Sequence, residues 1–137
     1  MSARELYRRW IEELWPAPED QLEARAAELF TEDSVIHQAG AEYARGPAGP
    51  VDLIRQGRAP FQDIELRIEV GPLVDGDLVA ARWTFSGAYA GGIPGVSAPE
   101  GTHVTFGGID IMRAEDGKFA EYWVSSDGMD LMRQLGA

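Results

Sequence analysis

A chain of 137 residues is enough for one domain, 1–137, that buries roughly two thirds of its unfolded surface without staples. With no cysteine it can form no disulfide, thiolate nucleophile or Cys-ligated metal site, which fits a reducing, cytoplasmic setting. The formal charge of −11 argues against nucleic acid or an anionic membrane as partner, because either would need a basic face. No apolar run reaches the roughly 18 residues of a membrane span, and the first residues, Ser-Ala-Arg-Glu-Leu-Tyr-Arg-Arg, lack the apolar segment of a signal peptide.

Ala3, Leu6, Tyr7, Trp10, Ile11 and Leu14 recur at helical spacing and predict an amphipathic helix over 2–15, opened by a Ser2/Glu5 capping box and ended by Pro16. A second helix is predicted from Glu19 to Phe30, with Leu22, Ala26, Leu29 and Phe30 on one stripe. Asp33 to Gln38 reads as a short strand carrying His37, followed by a polar, Gly-rich loop from Tyr43 to Gly49. Pro47 or Pro50 opens a third helix with Val51, Leu53 and Ile54 inward, and Pro60 closes it.

Ile64, Leu66, Ile68 and Val70 then alternate with Glu65, Arg67 and Glu69, the pattern of a strand wet on one face. Asp75-Gly76 predicts a hairpin turn into a strand over 78–89 with Val79, Ala81, Trp83 and Phe85 on one face. Residues 91–101 form a Gly/Pro-rich loop suited to a rim or flap. Two more strands are joined by a tight turn at Glu115, Asp116 and Gly117. The second carries Phe119, Tyr122, Trp123 and Val124 on both faces, so it is expected centrally in the sheet and covered on each side. A short helix starts near Asp127. Helices segregated to one side of a curled antiparallel sheet make an α+β fold with a pocket between the layers.

Several polar residues could do chemistry there. Asp127, with Asp130 three residues on, has the spacing of a helix N-cap. Asp110 interrupts Ile109 and Ile111 in mid-strand. The preferred reading turns it outward, to solvent or to pair with Arg113 or Arg82, whereas an inward position would make it a second acid/base or an anchor for a neighbouring donor. His37 reads as a half-buried, hydrogen-bonded histidine, Trp10 and Trp15 as helix-to-sheet core, and Tyr7, Tyr43, Tyr89 and Tyr122 as packing residues or donors to a substrate oxygen. Two distant histidines supply no metal-ligand set, and no phosphate-cradling glycine pattern or serine–histidine pair is present.

The run Gly108-Ile109-Asp110-Ile111, Arg113, Asp116-Gly117-Lys118, Glu121, Trp123, Asp127, Leu131 and Gln134-Leu135-Gly136 resembles the C-terminal half of the SnoaL-like polyketide cyclases, within the nuclear transport factor two-like superfamily. Arg82-Trp83-Thr84, Gly87, Gly91, Ile93-Pro94-Gly95, Pro99 and Gly101 are similar to the same family's third strand and following loop. Two positions depart from the family pattern: Tyr122 stands where a His commonly precedes the Trp, and Pro99-Glu100-Gly101-Thr102 where Pro-Thr-Gly-Lys/Arg is usual.

The resemblance implies a cone-shaped α+β barrel enclosing a pocket. It implies a cofactor-free cyclase acting on an apolar, polyketide-like molecule, with Asp127 as general acid/base, assisted by His37 and by Asp110 as a second acid/base. Trp123, Trp83, Phe85, Tyr43 and Arg113 would contact the substrate. Alternatives on the same scaffold are an epoxide hydrolase with an Asp-Arg-Asp set, an isomerase, or a non-catalytic binder. Apolar groups on both sides of the last strands, together with the resemblance, imply a homodimer or homotetramer.

Overall fold

The computed structural model describes residues 1–38 and 45–137 in full, and the backbone alone of residues 41–44. Helix α1 (Ala3–Arg9) begins where the Ser2 hydroxyl accepts the Glu5 N–H at 3.2 Å, the predicted cap. It runs on into a π-helical turn, Trp10–Leu14, and the stripe from Leu6 to Leu14 is buried as its spacing requires. After a 3-10 turn comes α2 (Leu22–Leu29). Phe30, expected at the end of that helix, instead starts strand β1 (Phe30–Gln38), where its ring packs edge-on to Trp10, centroids 5.4 Å apart. Strand β2 (Ala41–Arg45) occupies part of the predicted loop, and α3 (Ala48–Arg58) opens after Pro47 and stops short of Pro60.

Four long strands follow: β3 (Phe61–Asp75), β4 (Leu78–Tyr89), β5 (His103–Glu115) and β6 (Lys118–Ser126). At the β5–β6 turn Asp116 and Gly117 both take positive φ, 52° and 80°, the geometry that makes Asp-Gly the preferred pair there. Among the described residues one six-stranded sheet forms, in the order β2-β1-β6-β5-β4-β3. Its pairs are antiparallel except β1 with β6, so the sheet is mixed where an all-antiparallel one was expected. The α+β cone is the fold that forms, but its sheet curves around the helices without closing, with β2 and β3 as free edges. Register shifts in β3 help to bend it, and the shift beyond Ile68 turns Val70 out to solvent, against its predicted inward place.

Helix α4 (Gly128–Gln134) closes the open end together with the 91–101 loop. Ser97 and Ala98 both donate backbone N–H groups to the Leu135 carbonyl, at 3.1 and 3.0 Å. The loop is further held by the Ile93 N–H, which donates to the Tyr89 hydroxyl at 3.0 Å. Two apolar clusters result, one under α1 and α2 and one around Phe61, Phe85, Tyr89, Val104 and Leu135, and an unfilled space lies between them.

Candidate active site

That space is a cavity of about 310 Å³ with mostly apolar and aromatic walls: Trp15, Phe61, Trp83, Phe85 and Phe106 among them, with Ile93 and Leu131 from the covering loop and α4. Gln38, Gln56, Tyr122, Ser126 and Asp110 are the polar residues in its lining. Few polar groups in an apolar shell is the ordinary make-up of a small-molecule site.

Asp110 is placed by the pleat of β5. Val104, Phe106, Gly108, Asp110 and Met112 share the inner face, while Thr105, Ile109, Ile111 and Arg113 point out. The expected outward pairing with Arg113 or Arg82 is therefore wrong, because strand parity sends its carboxylate the other way. Asp110 is 1 % exposed, and among the described residues four neutral donors converge on it. Trp83 Nε1 and the Tyr122 hydroxyl donate to Oδ1 at 3.0 and 2.7 Å. The Tyr7 hydroxyl and Trp10 Nε1 donate to Oδ2 at 2.9 and 3.3 Å.

Burial pushes the Asp110 carboxyl above the usual carboxylate range, outweighing the opposite pull of those hydrogen bonds. Burial and the adjacent carboxylate raise both phenols, Tyr7 and Tyr122, which keeps them protonated donors. Room for this arrangement comes from Gly108. A methyl group built there would overlap the Trp83 ring, so only glycine lets the indole lie against β5 and reach Asp110.

Of the other candidates, Trp83 and Phe85 also line the cavity. Asp127 does not. It stands exposed at the N-terminus of α4, where its side chain accepts the Asp130 N–H at 3.1 Å, the N-cap its spacing with Asp130 predicts, and outside the cavity lining. His37, Trp123 and Arg113 all lie on the outer face of the sheet. The His37 ring stacks on Trp123 at 5.3 Å, and its Nε2 lies 2.7 Å from Glu121 Oε2. Arg113 Nε donates to the same carboxylate at 3.3 Å. Burial raises the Glu121 pKa, but the bonds from His37 and Arg113 outweigh it and hold this carboxyl below its usual range. The pleat that turns Tyr122 and Val124 inward turns Trp123 outward, which corrects its expected place in the pocket wall. The Tyr43 side chain lies outside the described residues.

A SnoaL-like polyketide cyclase family model matches residues 5–135. The chain belongs to the SnoaL-like polyketide cyclase family. Among solved structures, TsrD from Streptomyces laurentii is 30 % identical, with a TM-score of 0.76 over 98 % of this chain and 97 % of that one. IdmH, a proposed polyketide cyclase from Streptomyces antibioticus, superposes with a TM-score of 0.82 at 23 % identity, each chain covered in full (100 %). AclR, a proposed hydroxylase from Streptomyces galilaeus, gives 0.79 at 24 % identity, over 97 % of this chain and 94 % of that one. The last two share the fold. No curated protein sequence matches the chain.

In this SnoaL-like chain, sequence reasoning named Asp110 as a candidate but missed the set that holds it. Tyr7 and Trp10, read as packing or core, supply two of its donors from α1 and the turn after it. The signal that could have oriented Asp110 was its parity with Val104, Phe106 and Met112. It was masked by the apolar Ile109 and Ile111 on the opposite face, 47 % and 42 % exposed, which mimic a core-facing pair.

Proposed function

We propose that the chain is a cofactor-free cyclase that folds an apolar, polyketide-like molecule into its cavity and closes a ring by an intramolecular aldol-type step. The observation that carries this reading is Asp110, a carboxyl group buried in the wall of an aromatic chamber of about 310 Å³. In the step, the enol form of a 1,3-dicarbonyl unit loses its O–H proton, the enolate carbon bonds to a second carbonyl carbon, and the resulting alkoxide regains a proton. Atoms and electrons balance as an isomerisation, so no oxidant or reductant enters. Asp110 is the group that holds the proton between its removal and its return, in place of the Asp127 implied by resemblance. Its raised pKa suits that task, since an acid/base works best near the ambient pH. Holding both ends of the substrate together removes entropy from the barrier in advance, worth several kcal/mol, up to about 7–11 in the best-oriented cases.

Epoxide opening finds less support, because it calls for an arginine between two carboxylates, and among the described residues Asp110 is bonded by indoles and phenols. The decisive experiment incubates wild type, Asp110→Asn and Asp127→Asn with linear poly-β-keto esters, with tryptophan fluorescence reporting binding. Wild type and Asp127→Asn should form cyclised product while Asp110→Asn binds without converting. Equal binding with no conversion by any of the three would make the chain a carrier instead. We also propose a cytoplasmic homodimer that associates through the outer face of the sheet, where Ile109, Ile111 and Trp123 are bare around the His37–Trp123 stack.

A further inference from the structure

We propose that Tyr122 is the residue that carries protons between the cavity and Asp110, so that the substrate atom served is an oxygen lying against the Tyr122 hydroxyl. This rests on the acid–base reading above and assigns its route. A carboxylate has about four lone-pair sites. On Asp110 two are taken by indole N–H groups and two by phenol O–H groups, all within 3.3 Å. Although Asp110 borders the cavity, no site is left on its buried carboxylate for a substrate proton. A proton must therefore enter through one of the four donors.

The donors are not equivalent. An indole N–H gives a hydrogen bond and has no in-plane lone pair with which to accept one, so Trp10 and Trp83 cannot relay. A phenol both gives and accepts. Both phenols are buried, Tyr7 at 0 % and Tyr122 at 2 % exposure, but of the two only Tyr122 is among the residues lining the cavity, and it makes the shortest of the four bonds, 2.7 Å. The relay is then a two-proton shift. When Asp110 is protonated, its O–H points to the Tyr122 oxygen and the Tyr122 O–H points into the cavity. As a substrate enolate or alkoxide oxygen takes the Tyr122 proton, Tyr122 takes the one on Asp110, leaving a carboxylate that receives all four donors. Run backwards, the same chain accepts a proton from a substrate enol. Both indole bonds persist through the cycle, so the cost of moving is limited to two hydroxyl rotors.

The test uses wild type, Tyr122→Phe and Tyr7→Phe, each checked for folding by circular dichroism. Each variant removes one phenol from Asp110, but Tyr122→Phe alone removes the one facing the cavity. The first readout is keto–enol interconversion of an aryl 1,3-diketone. The second is the carboxyl ¹³C resonance of Asp110 with 2-naphthol as a bound oxygen probe. Tyr122→Phe should enolise the diketone about 10²-fold more slowly than Tyr7→Phe, and naphthol should move the Asp110 resonance in wild type and in Tyr7→Phe but not in Tyr122→Phe. If the two variants slow equally, Tyr122 is only one more support for Asp110 and the relay is wrong. If no protein accelerates the diketone yet the resonance pattern holds, the relay stands and the cyclase reading fails. If naphthol leaves the wild-type resonance unmoved, the relay is overturned.

Discussion

Replacing Asp110 by Asn turns one oxygen into an NH₂ at a buried polar position held by four hydrogen bonds, and its cost can be worked from those bonds. The amide keeps one oxygen and turns the other into an NH₂ donor. Each carboxylate oxygen of Asp110 faces one phenol and one indole, so the NH₂ meets an indole N–H in either orientation. The phenol on that side can rotate and accept, but the indole cannot. The side that loses least is the Oδ2 side, because the Trp10 bond, at 3.3 Å, is the longest of the four. One buried N–H is then left unpaired, at about 1–3 kcal/mol, which for a chain of this length lowers the melting midpoint by roughly 3–10 °C.

The pH dependence has a definite sign. The folded-state pKa of Asp110 is raised, so the folded protein binds this proton more tightly than the unfolded chain does. The associated stability is fully present below the unfolded value of about 3.9 and is lost as pH rises through the folded value, by at most about 1.4 kcal/mol per pH unit. The titratable groups facing Asp110 are Tyr7 and Tyr122, whose own pKa values are driven upward, so neither titrates in this window. The Asn variant lacks the effect, and the stability gap between wild type and Asp110→Asn should narrow as pH rises. Urea denaturation of both proteins between about pH 4.5 and 8 measures it. A gap that widens with pH would mean that the four donors overcome burial and hold Asp110 permanently ionised, which would refute the proton-storage argument.

Gly108→Ala should displace the Trp83 indole from Asp110, lowering stability by about 2 kcal/mol or more and weakening naphthol binding, as read by denaturation and tryptophan fluorescence. Asp127→Ala should cost about 0.5–2 kcal/mol through loss of the α4 cap, and Asp127→Asn only a few tenths. Neither should slow diketone enolisation, and a large loss of rate in Asp127→Asn would return the catalytic role to that residue. Ile111→Glu places a charge in the bare outer face and should shift the sedimenting species towards monomer without altering the cavity. An unchanged mass distribution would remove that face as the interface.

Much of this molecule is local chemistry and can be read along the chain. The Ser2 cap, the buried stripe from Leu6 to Leu14, the Asp-Gly turn at 116–117 and the inward run Val79, Ala81, Trp83 and Phe85 follow from rotamer preference, turn geometry and periodicity, and the tertiary structure leaves them where those rules put them. The family, too, was legible in the order of motifs after Arg82. What neighbouring residues could not decide was facing. Ile109, Ile111 and Trp123 look like core to any reading that equates apolar with inside, yet they point outward, and Asp110 and Tyr122 take the inner positions between them. A strand's two faces are told apart only by what each packs against, and here that is α1 and the turn after it, whose Tyr7 and Trp10 reach Asp110 from about one hundred residues away in sequence. The buried carboxylate is tolerated because four donors from three separate segments, α1 with the turn after it, β4 and β6, arrive together. That coincidence exists only once the chain is folded, and it moves the candidate site from Asp127 to Asp110.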